Sequence, residues 1–120
     1  MNLENKGYFV LLIFAILSVS VTQVVFKIVA DRHKDHLLNV IYDYRLYIAV
    51  AIYSIAFVLW IVALSKIEFS LALPFNMITI LAGGIFGYYI FGESISTTKI
   101  MGYIIISIGL LVLYYDFIGS

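Results

Sequence analysis

Polar side chains recur at helical spacing within an apolar stretch near the start of this sequence. Ser20, Gln23 and Lys27 follow at intervals of three and four residues, which places them on one face of a helix. A hydroxyl, an amide and an ammonium in one stripe have the chemistry to bind sugar hydroxyls and a phosphate or carboxylate. In the structural alternative, Lys27 extends to the lipid headgroups and Gln23 bonds a neighbouring helix. The sequence leaves both interpretations open.

A second stripe of small or hydrogen-bonding residues lies in the third apolar stretch. Its members are Ala72, Asn76, Thr79, Gly83 and Gly87, at intervals of four, three, four and four. The pattern Gly83-x-x-x-Gly87 is typical of closely packed helices, and Asn76 and Thr79 add polar groups to the same face. We expect Asn76, Thr79 and Gly83 of this face to form a groove with Ser20, Gln23 and Lys27. Tight helix packing without a groove is the alternative.

Helix shape and helix contacts are predicted from a proline and two further glycines. Pro74 lacks a backbone N–H and should kink the third helix. Gly102 and Gly109 lie seven residues apart, so one face of the fourth helix has two shallow points. Such points favour helix–helix contact, which we expect between two protomers.

The elements that must position these residues are four long apolar runs. They cover about residues 8–30, 46–65, 69–91 and 100–118, each near the ~20 residues that cross a bilayer. The composition is 64% hydrophobic and 12% charged, whereas a soluble domain is nearer half apolar and a quarter charged. The sequence therefore predicts an all-α integral membrane protein, a single domain of four transmembrane helices over residues 1–120.

Composition also argues against several function classes. A formal net charge of zero argues against nucleic acid as a partner, and the absence of cysteine excludes disulfides and thiolate metal sites. His33 and His36 have no evident third ligand, so no metal is predicted. Glu93 and Asp116 stand singly at helix ends, and no run has a carboxylate near its middle. We expect no catalytic residues, no enzyme activity and no cofactor.

Several short motifs resemble the drug/metabolite transporter superfamily, including its small multidrug resistance branch, over nearly the whole chain. The opening of the first helix, the proline of the third, the turn after it and the fourth-helix glycines carry the resemblance. In sequence these are Ala15–Leu17 followed by Lys27, Ser70–Pro74, Gly92-Glu93-Ser94-Ile95-Ser96, and Gly102-x6-Gly109. The resemblance implies a small multidrug resistance-like fold of four helices that works as a dimer.

One departure bears on the subfamily. Drug-exporting members carry a glutamate eight residues before the lysine, and this chain has Val19 there. Ser20-x-x-Gln23-x-x-x-Lys27, with Trp60 near the end of the second helix and Pro74 in the third, is more similar to the flippase subunits for aminoarabinose-phosphoundecaprenol. This resemblance implies that Trp60 belongs to the substrate-binding set.

The sequence thus predicts a homo- or heterodimer, multi-pass in the inner (plasma) membrane, that flips a polyprenyl-phosphate-linked sugar or similar amphipathic lipid. Lys27 would meet the phosphate, and the polar groups of the third helix would bond the sugar. One alternative is a small-molecule or cation exporter of the multidrug type. Another is a non-transporting membrane subunit that supports a glycosyltransferase.

Overall fold

All regular structure in the described part of the chain is helical. The computed structural model describes residues 3–119, and side chains of residues 6–119. Its elements are α1 (Leu3–Arg32), a 3-10 helix (Leu37–Tyr42), α2 (Tyr44–Leu64), α3 (Phe69–Phe75), α4 (Met77–Phe91) and α5 (Thr97–Gly119). Four stretches are long and apolar enough to span a membrane, namely Lys6–Arg32, Tyr44–Leu64, Phe69–Phe91 and Thr97–Gly119. The all-α class and the four candidate spans are confirmed.

Two helices begin a few residues before the apolar runs because polar residues cap them. The Asp43 carboxylate accepts a hydrogen bond from the Arg45 backbone N–H at 3.0 Å, so α2 begins at Tyr44 rather than at residue 46. The Ser96 hydroxyl oxygen accepts the Lys99 N–H at 3.1 Å, and α5 begins at Thr97 rather than at residue 100. Hydropathy alone places these starts too late.

The predicted kink at Pro74 is a break between two helices. α3 ends at Phe75 and α4 begins at Met77, with Asn76 between them. The Asn76 N–H donates to the Leu73 carbonyl at 3.0 Å, a tighter turn than the α-helical pattern. The break changes the direction in which side chains project before and after residue 76.

Helix α1 packs most extensively against α2, through small residues of α2 spaced seven apart. Ala49, Ala56 and Ala63 are all buried, with at most 1% of each residue exposed. Alanine lets two helix backbones approach closely, and a spacing of seven returns to the same face after two turns. Leu12 and Ile16 of α1 belong to the same buried core as Ala63.

Aromatic rings join the opposite ends of the chain. The Phe9 ring lies 5.3 Å from Phe75 of α3, and 5.4 and 5.0 Å from Tyr114 and Phe117 of α5. Away from this cluster α5 is mostly exposed, since only 6% of the residues in its most apolar stretch are buried. Most of the α5 surface is therefore available to lipid or to another protein.

Candidate functional site

Five of the predicted groove residues, together with Gly87, line one cavity between α1 and α4. This polar cavity has a volume of about 200 Å³. Ser20, Gln23 and Lys27 line it from α1, and Thr79, Gly83 and Gly87 line it from α4. Val24, Phe86, Phe91 and Glu93 complete the lining. The two sequence stripes therefore face each other.

The polar groups differ in how far they are already satisfied. Ser20 is buried at 4% exposure, and its hydroxyl donates to the Ile16 carbonyl at 2.9 Å. Gln23 is exposed and has no hydrogen-bond partner among the residues whose side chains are described. A primary amide has two donor hydrogens and an acceptor oxygen. Gln23 is thus the polar group of this cavity best placed to bond a ligand.

Lys27 is the last polar residue of the α1 stripe. Its ammonium lies 3.1 Å from the Asp31 carboxylate, one helical turn further along α1. Both side chains are about half exposed, at 49% and 48%. Ser20 and Lys27 are seven residues apart, which corresponds to about 10 Å along the helix. The cavity therefore runs from near the middle of α1 toward a charged end.

A carboxylate that the sequence did not place in the cavity belongs to its charged end. Gly92 adopts the left-handed conformation (φ 67°), and the Glu93 N–H donates to the Gly87 carbonyl at 2.9 Å. This turn folds the Glu93 side chain against Gly87, where a Cβ atom would collide with the carboxylate. Gly87 therefore makes room for Glu93 rather than for another helix. Glu93, expected to stand singly at a helix end, therefore also lines the charged end of the polar cavity.

Asn76 and Trp60 lie in a different cavity, which corrects the predicted groove. This Trp60 cavity, of about 210 Å³, lies between α1, α2 and the break after α3. It is lined by Ala15, Ile16, Val19, Tyr53, Ala56, Phe57, Trp60 and Asn76. Asn76 falls outside the polar cavity because the Pro74 break interrupts the helical phase that would have aligned it with Thr79. Val19 contributes only an apolar surface there.

The glycines predicted to pack against helices behave differently from one another. A Cβ at Gly83, Gly102 or Gly109 would meet no atom within 4 Å in this chain. The close helix contact in α4 is instead at Gly84, where a Cβ would lie 2.6 Å from the Tyr103 ring of α5. Gly102 and Gly109 remain open to a second protomer, so their role as a dimer contact stays a prediction.

A hydrogen bond between His33 and Asp43 holds the loop between α1 and α2. The His33 Nε2 lies 3.2 Å from the Asp43 carboxylate, which is 7% exposed. The Arg45 N–H, with His33 and the Arg45 charge adding to it, lowers the pKa of Asp43 although its burial acts in the opposite direction. Within the described residues, no three His, Asp or Glu side chains are grouped to hold a metal ion. The loop is therefore held by charge and hydrogen bonding.

Comparisons with known proteins leave the family open. No protein-family model, no curated protein and no solved structure matches this chain. What the structure itself defines is an all-helical protein with four helices suited to crossing a membrane and a polar cavity between the first and third spans.

Proposed function

We propose that this protein binds an amphipathic anionic lipid, such as a polyprenyl-phosphate-linked sugar, and moves its head group across the inner membrane. The observation that carries the proposal is the meeting of two sequence-separated polar stripes in one cavity. Ser20, Gln23 and Lys27 face Thr79 and Gly83 there. In hydrocarbon, isolated polar groups are costly, and those that line a cavity mark substrate pathways.

Different lining residues bind different parts of the head group. The Lys27 ammonium binds the phosphate as a point charge. Gln23 bonds sugar hydroxyls, and Ser20, whose proton is directed at Ile16, offers its oxygen as an acceptor. Gly83 contributes open space rather than a contact. The lipid tail stays in the bilayer, so only the polar head needs a protein-lined route.

The volume of the cavity supports action as a dimer. About 200 Å³ is below the ~300–1,000 Å³ typical of pockets that enclose a small ligand. A phosphate with part of a sugar is the most that one protomer can surround. A second protomer would contact α5 at Gly102 and Gly109, and both glycines have open space before them.

A second candidate function is supported by the Trp60 cavity. Tyr53, Phe57 and Trp60 place three aromatic side chains around one space beside Asn76. Aromatic faces attract quaternary ammonium groups through cation–π interactions. An exporter of the multidrug type would use this cavity. The Val19 position supplies no carboxylate for proton exchange, which is why we rank this function second.

Reconstitution into liposomes tests the two functions side by side. A fluorescent polyprenyl-phosphate sugar is placed in both leaflets, and a membrane-impermeant quencher reports how quickly the inner pool becomes accessible. We expect the protein to speed this exchange over protein-free liposomes, Lys27→Ala to slow it, and Lys34→Ala, a loop lysine, to leave it unchanged. Transport of a quaternary ammonium compound without lipid exchange would favour the second function instead. No transport, with stoichiometric co-purification of a glycosyltransferase, would favour a supporting subunit.

A further inference from the structure

An apolar groove lies on the surface between α4 and α5. It has a volume of about 530 Å³ and opens along the outside of the molecule. Leu81, Ile85 and Tyr88 line it from α4, and Ile100, Ile104 and Ile108 line it from α5. The eight steps from Ile100 to Ile108 correspond to about 12 Å of groove along the helix.

Four residues of the groove carry a hydroxyl, namely Tyr88, Tyr89, Tyr103 and Ser107, and the other seven are Leu, Ile or Gly. The Ser107 hydroxyl, which also lines it, donates to the Tyr103 carbonyl of its own helix at 2.8 Å. Tyr103 packs against Gly84 and forms the floor that joins α4 to α5. A groove of this composition suits hydrocarbon rather than a sugar or a polar peptide.

The groove and the polar cavity both adjoin a third, small cavity. A small linking cavity of about 40 Å³ lies over the last turns of α4. It shares Gly84, Tyr88, Ile95 and Tyr103 with the groove, and Gly83 and Glu93 with the polar cavity. Three adjoining cavities therefore lie around α4, polar on the α1 side and apolar on the α5 side.

A second cation lies beside the linking cavity. Lys99 lines the linking cavity, and its ammonium donates to the Ser94 carbonyl at 3.2 Å. Lys27 lies in the polar cavity on the other side of α4. Each of the two adjoining cavities thus has a lysine, which complements a phosphate, and the Glu93 carboxylate lines both of them.

We propose that the α4–α5 groove holds the hydrocarbon tail of the lipid whose head group occupies the polar cavity. The phosphate lies in the polar cavity at Lys27, with Lys99 in the adjoining linking cavity, and the chain runs from Ile95 and Ile100 toward Leu81 and Ile108. This inference rests on the proposed function for the identity of the lipid, and it adds which face of the protein the tail contacts. Gly102 and Gly109 project to the other side of α5 from Ile104, because residues two and five positions apart on a helix point in nearly opposite directions. A dimer contact at these glycines leaves the groove open.

Photocrosslinking locates the tail directly. The full-length protein in lipid nanodiscs is labelled with a polyprenyl phosphate that carries a photoreactive group on its chain, and the adducts are mapped by peptide mass spectrometry. We expect adducts at residues 81–108 that unlabelled polyprenyl phosphate removes and a neutral polyprenol does not. Adducts spread evenly over exposed positions such as Phe14 and Val21, or equal labelling by the neutral polyprenol, would overturn the proposal.

Paired substitutions on α5 test the same surface. Ile104 and Met101 are both exposed, and only Ile104 lines the groove. We expect Ile104→Trp to weaken binding of the long-chain phosphate about threefold or more, since a tail taken from lipid gains packing contacts rather than hydrophobic free energy. Binding of a short-chain prenyl phosphate should not change, and Met101→Trp should bind both as the wild type does. Equal effects of the two substitutions would contradict the assignment.

The lack of native cysteine allows a competing occupant to be tested. A single cysteine at position 104 that forms a disulfide between two copies in high yield would show that the groove receives a second helix, and would overturn the proposal. Failure of this inference is distinguishable from failure of the proposed function. If lipid exchange proceeds and depends on Lys27 while the groove is unlabelled, only the tail assignment is wrong. If neither phosphate probe binds, both are wrong.

Discussion

Lys27 is the residue through which the proposed head-group site is most sharply tested. Its ammonium lies 3.1 Å from Asp31, and both side chains are about half exposed. An exposed pair one turn apart on a helix contributes about 0.3–0.5 kcal/mol, and less when the lysine precedes the acid. We therefore expect Lys27→Ala to change the stability of the folded protein by less than about 0.5 kcal/mol.

Ligand binding should respond much more strongly than stability. A hydrogen bond to a charged group contributes about 1.5–3 kcal/mol, which corresponds to about 10- to 100-fold in affinity for a phosphate. Lys27→Ala should weaken binding of polyprenyl phosphate by that factor. Asp31→Asn should have the opposite effect, about a twofold gain, because it frees Lys27 from a pair of ~0.5 kcal/mol.

Native mass spectrometry of the protein in nanodiscs, titrated with polyprenyl phosphate, gives both affinities. Lys34→Ala is the matched control, because it removes the same charge from the nearby loop and should bind as the wild type does. Equal affinity of Lys27→Ala and the wild type would refute the assignment of Lys27 to the phosphate. A loss equal to that of Lys34→Ala would reduce its role to general attraction between charges.

Three further predictions concern the surroundings of the site. Gly87→Ala should displace the Glu93 carboxylate and raise phosphate affinity about two- to fivefold, as expected for removing an exposed negative charge. Native mass spectrometry should show no further gain in affinity when Gly87→Ala is added to Glu93→Gln. Because its folded-state pKa is lowered, Asp43 stabilises the protein above its ordinary pKa of about 3.9 and loses this contribution as the pH falls through the folded value. Thermal unfolding should therefore show a steeper acid loss in the wild type than in Asp43→Asn, and parallel pH profiles would contradict this. Gly102→Leu with Gly109→Leu should convert a dimer to a monomer by native mass spectrometry, and a persisting dimer would place the seam elsewhere.

The helices were predictable because hydropathy and helical period act over many residues. Four stretches of about 20 apolar residues have few alternatives to spanning helices, and all four were found. Spacing also predicted that Ser20, Gln23 and Lys27 share one face of α1 and that Thr79 and Gly83 share one face of α4, whereas helix packing decides that the two faces meet. Side chains on one face of a straight helix stay together whatever the helix packs against.

Two features of the site depended on departures from regular helix geometry. Asn76 was assigned to the stripe by counting residues, but the break after Pro74 turns it into the Trp60 cavity. Glu93 was set aside as a helix-end carboxylate, but the left-handed Gly92 folds it back beside Gly87. The sequence signal for this turn was Gly92-Glu93, five residues after Gly87.

The packing of α2 was also missed, for a different reason. Ala49, Ala56 and Ala63 mark its contact with α1, yet alanine is so common in apolar helices that its spacing alone does not identify a contact face. The tight contact between Gly84 and Tyr103 was likewise not foreseen, since Gly83 fits the small-residue pattern better. Which of two adjacent glycines meets a neighbouring helix is decided by the tertiary arrangement.

The central claim is that a lipid phosphate binds between α1 and α4, and glycine resonances offer the most direct measurement of it. The chain contains eight glycines, so selective isotope labelling of glycine gives a sparse backbone NMR spectrum. On titration with polyprenyl phosphate, we expect the amide signals of Gly83 and Gly87 to shift together in the wild type and to stay fixed in Lys27→Ala, while Gly7 does not respond. Unmoved Gly83 and Gly87 signals at saturating lipid phosphate would contradict the account.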